Sequence, residues 1–309
     1  MSKPPRRRLP RWLMPIGAVV AAIALGLVAW MVVRDGDGAN DQQAITDSEP
    51  GVSHVHGLGI NPADGSLIVA THFGSFRIPR SGGKAERIGD SYQDTMGFTV
   101  VGADRFLGSG HPDVPGLRKG QPTQLGLIES TDAGETWAIL SLGGAADFHG
   151  LAYAHDQVYG WDAGTGRFMV STDKREWETR STVDLYGFAV DPDNGDHIIG
   201  GHPDGLLPGG LTDSTDGGRT WVDAEGPDLV VVSWDAEAGL WGAERGGAVW
   251  HQTTSGWDQV GEVPGGVQAF LATADALYAA VHDANEVTAI YQSADSGDTW
   301  DVLYRDPEQ

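Results

Sequence analysis

The stretch that decides the fold is Ser130-Thr131-Asp132-Ala133-Gly134-Glu135-Thr136-Trp137. It recurs as Ser214-Thr215-Asp216-Gly217-Gly218-Arg219-Thr220-Trp221 and as Ser293-Ala294-Asp295-Ser296-Gly297-Asp298-Thr299-Trp300. A shortened copy reads Ser171-Thr172-Asp173-Lys174-Arg175-Glu176-Trp177. These residue types describe a turn between two strands. The Asp carboxylate accepts hydrogen bonds from the backbone N–H groups of its own turn. The Gly two places on adopts positive φ without a Cβ clash. Thr and Trp open the following strand, where β-branched and aromatic side chains suit a half-buried pleat, and the Trp adds a large apolar area for packing. Asp132, Gly134, Trp137, Asp173, Trp177, Asp216, Gly218, Trp221, Asp295, Gly297 and Trp300 therefore read as structural, and a turn recurring at this spacing marks a repeat fold.

The rest of the chain falls into the same period. Trp137, Trp177 and Trp221 are 40 and 44 residues apart, and Trp257 precedes Trp300 by 43. Trp257 follows Thr253-Thr254-Ser255-Gly256, a shortened turn, and Arg80-Ser81-Gly82-Gly83-Lys84 supplies another, making six. Each unit opens with an apolar run: His56 to Ile60, Met96 to Val100, His149 to Tyr153, Tyr186 to Val190, Leu229 to Ser233 and Val267 to Leu271. Gly within several of these runs suits a strand that other backbones approach closely. Six openings and six turns predict an all-β, six-bladed propeller over 54–309, about 43 residues per blade. No stretch suggests a buried helix.

The S-x-D-x-G-x-T-W pattern resembles the Asp-box, or bacterial neuraminidase repeat, of sialidase-like β-propellers. The resemblance implies the propeller fold and places the turns between the third and fourth strands of each blade. Sialidases, other carbohydrate-active propellers, sorting receptors and assembly factors share the repeat, so it does not fix an activity. Phe76-Arg77-Ile78-Pro79 also matches the F-R-I-P motif, whose Arg in sialidases binds the substrate carboxylate. Here the motif precedes the turn at Ser81-Gly82-Gly83 and reads as the third strand of blade one, away from the ligand face. Arg245, Arg118 and Arg167 are the remaining candidates for the arginine triad that bidentate carboxylate recognition needs, and they lie in no matching motif.

Composition narrows the partners. The chain has 309 residues and no Cys, which excludes a disulfide framework, a thiolate metal site and a Cys nucleophile. Residues 1–34 carry six Lys or Arg and no acid, whereas the remainder carries 14 basic against 43 acidic residues. That acidic body argues against nucleic acid, which needs a basic face. Residues 12–33, WLMPIGAVVAAIALGLVAWMVV, contain no charge. As a helix they span about 33 Å, sufficient for a hydrocarbon core of about 30 Å. Residues 1–11 are basic, which predicts a cytoplasmic amino terminus, a single transmembrane helix at the cell membrane and an extracytoplasmic body. The apolar run is longer than that of a cleaved signal peptide. Residues 34–53 read as a flexible linker.

In a propeller the turns described above lie on one face, here the bottom. The starts of the first strands and the loops joining second to third strands lie on the other, the top. Those positions carry His54 and His56, Asp94, Asp147 and His149, Asp184, then His72, His111 with Asp113, Asp162, His202 with Asp204, Glu244 with Arg245, and His282. Seven of the ten His fall there. Backbone satisfaction by short polar side chains explains each one singly, but the set supports three functions. The first is a binding or scaffold module holding a divalent metal ion: imidazole and carboxylate suit Zn²⁺, Cu²⁺, Ni²⁺ or Mn²⁺, and His54, His56, His72, His111, His149 and His202 are the candidate ligands. Residues 54 and 56 would share one face of a strand. The second is a sialidase-like, exo-acting glycoside hydrolase using Asp94, Asp147 and Asp184 as acid and base or nucleophile. Asp113, Asp162, Asp204, Glu244, Arg245 and His282 would line the ligand. The third is a protein-interaction platform for envelope assembly.

Overall fold

Residues 51–202, 210–283 and 287–306 are described by a computed structural model. They form six four-stranded sheets, each a meander of consecutive antiparallel strands. Blade one holds β1 (Val55–Ile60), β2 (Leu67–Thr71), β3 (Gly74–Ile78) and β4 (Glu86–Ile88). Blade two holds β5 (Asp94–Gly102), β6 (Arg105–His111), β7 (Leu127–Ser130) and β8 (Ala138–Ser141). Blade three holds β9 (Phe148–Ala154), β10 (Gln157–Asp162), β11 (Arg167–Ser171) and β12 (Glu178–Thr182). Blade four holds β13 (Gly187–Val190), β14 (Ile198–Gly201), β15 (Leu211–Ser214) and β16 (Val222–Ala224). Blade five holds β17 (Leu229–Asp235), β18 (Gly239–Glu244), β19 (Ala248–Thr253) and β20 (Gly256–Glu262). Blade six holds β21 (Gly266–Ala272), β22 (Leu277–His282), β23 (Thr288–Ser293) and β24 (Asp301–Arg305). The all-β six-bladed propeller expected from the repeats is the fold observed.

Each blade is graded from inside outward. Second strands are the most buried, with β2 and β14 covered along their whole length, whereas fourth strands such as β12 and β16 are largely exposed. The first strands pack side by side around the ring, and glycine permits the approach. A Cβ on Gly97 would stand 2.5 Å from the Phe148 carbonyl oxygen of the next blade. Apolar clusters fill the spaces between blades; one joins Phe148, Val158 and Met169 of blade three to Leu107 and Leu127 of blade two.

The recurring turns are built as their residues demand. Asp132 Oδ1 accepts from Thr136 N at 2.9 Å, Oδ2 accepts from Thr136 Oγ1 at 2.6 Å, and Ser130 Oγ accepts from Gly134 N at 2.8 Å. Asp216 and Asp295 repeat this set. Asp173, lacking the Thr, accepts from Arg175 N and Glu176 N, both at 2.9 Å. These bonds hold all four carboxylates below the usual carboxylate range. The Trp side chains bind blades together: Trp177 Nε1 donates to Ser141 Oγ and Trp221 Nε1 to Ser181 Oγ, each in the preceding blade. Phe76-Arg77-Ile78 lies on the third strand β3, and the charge of Arg77 is felt by Asp64 in the β1–β2 turn on the bottom.

The ring closes without exchanging a strand, since every sheet is made of consecutive strands. Val52 is fully buried in a cluster joining blades one and six, and its N–H donates to Asp306 Oδ1 at 3.2 Å. Val55 N donates to Gln268 Oε1 of β21 at 3.1 Å. Residues 51–53, read from the sequence as the end of the linker, thus belong to the folded unit. One short helix, α1 (Val114–Arg118), sits in the β6–β7 loop. Among the described residues no helix is long and apolar enough to cross a membrane. The apolar run 12–33, the basic residues 1–11 and Asp204 lie outside the described residues.

Candidate functional site

The top-face residues do not all converge. The close cluster belongs to blades six, one, two and three, and its geometry comes from β-bulges at the starts of the first strands. In β1 the pairing with β2 shifts register between Val55 and Gly57, so His56 is the bulged residue. In β9 the pairing skips from Phe148 to Gly150, so His149 is bulged at the same place. A bulge re-aims a side chain out of the regular alternation. His54 lies before the strand, at φ +50°, a left-handed conformation uncommon for a residue with a Cβ. The expected i, i+2 alternation of His54 and His56 is therefore not what brings them together. Their rings still come to 4.9 Å, one through a bulge and the other through an unusual backbone.

Two constellations result. In the first, Asp94 Oδ1 is 3.2 Å from His56 Nε2 and Asp94 Oδ2 is 2.9 Å from His72 Nδ1. One donor atom from each of these three residues lies within 4.8 Å of the others. His56 Nε2 and Asp94 Oδ1 are both buried, lie 3.2 Å apart, and have no other polar partner among the described residues. Burial opposes ionisation of Asp94, but the contacts with His56 and His72 outweigh it and hold its carboxyl at about 2. The Asp94 contact raises His72. His54 is lowered by burial and by His56, His282 and His72. His282 stands 6.1 Å from the His54 ring and near Gln268.

In the second constellation, His149 Nε2 and His111 Nε2 lie 3.2 and 3.4 Å from the same atom, Asp147 Oδ2. His111 Nδ1 is 2.8 Å from the Thr123 carbonyl oxygen, which can only accept, so Nδ1 carries its proton there and Nε2 faces the carboxylate. His111 is pushed up to about 9 by the Asp147 contact, against burial and with help from the Thr123 carbonyl. Asp147 itself is held far below the usual range: burial opposes this, and His111 and His149 outweigh it.

Several candidates serve the fold instead. Asp162 is buried and accepts from Asp147 N, Thr165 Oγ1 and Arg167 Nε and Nη2, so it braces the loop that carries Asp147. Asp113 caps α1 through Gly116 N and accepts from Tyr92 N. Glu244 accepts from Trp250 Nε1, and the Arg245 guanidinium lies over the Tyr186 ring. Asp184 is exposed and falls outside both constellations. His202 is buried, its Nε2 without a hydrogen-bond partner among the described residues, and it joins neither group. His155, His197 and His251 are held elsewhere, by the Asp191 carbonyl, by Asp191 and Asp213, and by stacking on Trp241. The sequence reading passed over Thr123 and Gln268. Thr123 acts through its backbone carbonyl, which no side-chain pattern reveals. Gln268 holds in β21 the bulged position that His56 holds in β1, a register legible only once the bulges are known.

No protein-family model matches the chain, and no curated protein matches it. Among solved structures it is similar to the GH74 xyloglucanase from Xanthomonas campestris, at TM-score 0.53 and 18% identity over 82% of this chain and 45% of that one. The GH74 enzyme of Niastella koreensis gives TM-score 0.58 and 16% identity, over 82% and 46%. A chain from a nidogen/laminin complex gives TM-score 0.59 and 13% identity, over 77% and 92%. The chain spans less than half the length of those two GH74 chains. At such identities the likeness is one of fold: this chain is a six-bladed β-propeller with glycoside hydrolase structures among its neighbours.

Proposed function

We propose that this chain is a membrane-tethered, extracytoplasmic binding module that holds a divalent transition-metal ion on its top face, through His56, His72 and Asp94. The observation that carries this reading is the convergence of two imidazole nitrogens and a carboxylate within 4.8 Å. Two features favour a metal over a simple ion pair. His56 Nε2 and Asp94 Oδ1 are buried 3.2 Å apart with no other polar partner among the described residues, so both are available to a shared cation. His54 adds a third imidazole, its ring 4.9 Å from that of His56, and burial and the neighbouring histidines lower it, which favours the form in which an imidazole is a ligand. Two imidazoles and one carboxylate suit Zn²⁺, Cu²⁺, Ni²⁺ or Mn²⁺ and leave coordination positions open to His54 or to an external ligand. The tether in this reading is residues 12–33, which carry no charge and follow a basic amino terminus.

Glycoside hydrolysis by the same carboxylates is less well supported. That chemistry needs one carboxyl group kept protonated near neutral pH as general acid. Asp94 and Asp147 are both shifted the other way, and Asp184 stands apart from them.

The test is metal content of the purified full chain, after chelator treatment and reloading with Zn²⁺ or Cu²⁺. Stoichiometric metal that is lost in a His56→Ala/His72→Ala variant with unchanged circular dichroism supports the reading. Less than a tenth of an equivalent in the wild-type chain refutes it.

A further inference from the structure

Three donor atoms converge at the proposed metal centre, from His56, His72 and Asp94. Structural zinc sites close on four protein ligands, whereas a set of three keeps a position for water or an external ligand. A divalent ion held there meets one carboxylate, so the centre keeps a net positive charge that favours an anion in the open position. The groups next to it come from blades one and six. His54, which is exposed, and His282 continue the row of imidazoles: the His54 ring is 4.9 Å from that of His56 and 6.1 Å from that of His282. His54 feels His56, His282, His72 and a single carboxylate, that of Asp94.

An amide fixes the proton of His282. Gln268, at the bulge of β21, lies between Val55 N and the His282 ring. Val55 N–H can only donate, so the amide oxygen, Gln268 Oε1, accepts from it at 3.1 Å. The amide nitrogen is thereby turned to His282 Nδ1, 3.4 Å away. An NH₂ group can only donate, so Nδ1 is the acceptor and the neutral His282 ring carries its proton on Nε2. His282 is half-buried, and its side chain makes no other hydrogen bond among the described residues, which leaves that N–H to a ligand. From this arrangement we infer that the open position takes a small oxyanion, a carboxylate or inorganic phosphate, with His282 Nε2–H donating to its oxygen and Gln268 as the positioning residue that holds the donor tautomer. This rests on the metal-binding reading of His56, His72 and Asp94. A hydrogen bond to a charged acceptor contributes about ten- to hundredfold in affinity.

The experiment loads the full-length chain with Co²⁺, counts the metal by elemental analysis, and titrates with acetate and, separately, with inorganic phosphate while following the visible absorption of the metal. The expected result is anion binding that disappears after chelator treatment and is about ten- to hundredfold weaker in His282→Phe at unchanged metal content; the anion that binds more tightly names the ligand class. Bound metal with no response to either anion overturns the inference and leaves the metal reading standing, and equal affinity in His282→Phe overturns it as well. No bound metal in the wild-type chain overturns both, and the metal count separates that case from the others. A second readout needs neither metal nor a folded variant: imidazole ¹⁵N shifts of chelator-treated wild-type protein should place the His282 proton on Nε2, and a proton on Nδ1 overturns the donor role. In Gln268→Glu, whose carboxylate can only accept, the proton should move to Nδ1 and anion affinity should fall as in His282→Phe; an unmoved tautomer overturns the positioning role of Gln268.

Discussion

Replacing Asp147 with Asn should collapse the elevated protonation of His111 in metal-free protein. His111 Nε2 lies 3.4 Å from Asp147 Oδ2, and the contact lifts the imidazole from 6.5 to about 9. At about 1.36 kcal/mol per pH unit that rise corresponds to roughly 3.4 kcal/mol, and because the side chain is 41% exposed, solvent screening reduces it to about 1–2 kcal/mol. The Asn variant keeps the burial and the Thr123 carbonyl but loses the charge, so the midpoint should fall by at least about 1. The groups facing His111 are Asp147, Asp94 and the nearby His72, so the removed carboxylate dominates. The sign for stability follows from the same values. His111 is raised in the folded state, so its contribution is full below pH 6.5 and is lost as pH rises through about 9. Asp147 is lowered, so its contribution is present above 3.8 and is lost as pH falls below that. Both describe one interaction, and the stability gap between wild type and Asp147→Asn should be widest between pH 3.8 and 6.5. The assay is an NMR titration of imidazole C–H resonances in chelator-treated protein, assigned with His111→Asn. A wild-type midpoint at or below 6.5, or one unmoved by Asp147→Asn, would refute the reasoning.

Four further substitutions, one of them a control, test the architecture. Phe148→Ala removes a fully buried ring packed 4.8 Å from Trp177 and should cost about 3–5 kcal/mol in urea denaturation; a loss below about 1 kcal/mol would mean the blade-two to blade-three interface is not packed as described. Gly97→Ala drives a Cβ to 2.5 Å from the Phe148 carbonyl and should destabilise by about 1–3 kcal/mol. Gly102→Ala, with nothing within 4 Å, is the neutral control in the same strand, and equal effects would contradict the close approach of the first strands. Asp306→Ala removes the acceptor of Val52 N and of the Tyr304 hydroxyl and should lower stability by about 1–2 kcal/mol. Hydrogen exchange should quicken at Val52 and Val55, and unchanged protection there would show that the ring closes elsewhere.

The blades were legible because their information is local. Thr136 donates to Asp132 and Gly134 to Ser130 within seven residues, so the turn is written wholly in its own sequence, and counting turns counts blades. Glycine at position 97 was readable for the same reason, as a mark of close approach. The candidate site was legible only as a list of polar residues on one face. Which of them meet depends on partners in the neighbouring blade: Asp94 draws His56 and His72, Asp147 draws His111 and His149, while Asp113, Asp162 and Glu244 turn back to backbone N–H groups or to neighbouring Thr, Arg and Trp side chains.

The sequence by itself therefore determined the all-β class, the blade count, the positions of the recurring turns and the face on which most of the histidines lie. Turn chemistry and apolar periodicity act over a few residues, and repetition makes them unambiguous. Only the tertiary structure decided that the histidines and aspartates form two separate groups, that His54 reaches its neighbours through a left-handed backbone, and that Val52 and Asp306 seal the ring. Those outcomes arise from bulge register and from the packing of one blade against the next. Both are set by distances across the ring, which no short-range pattern in the chain records.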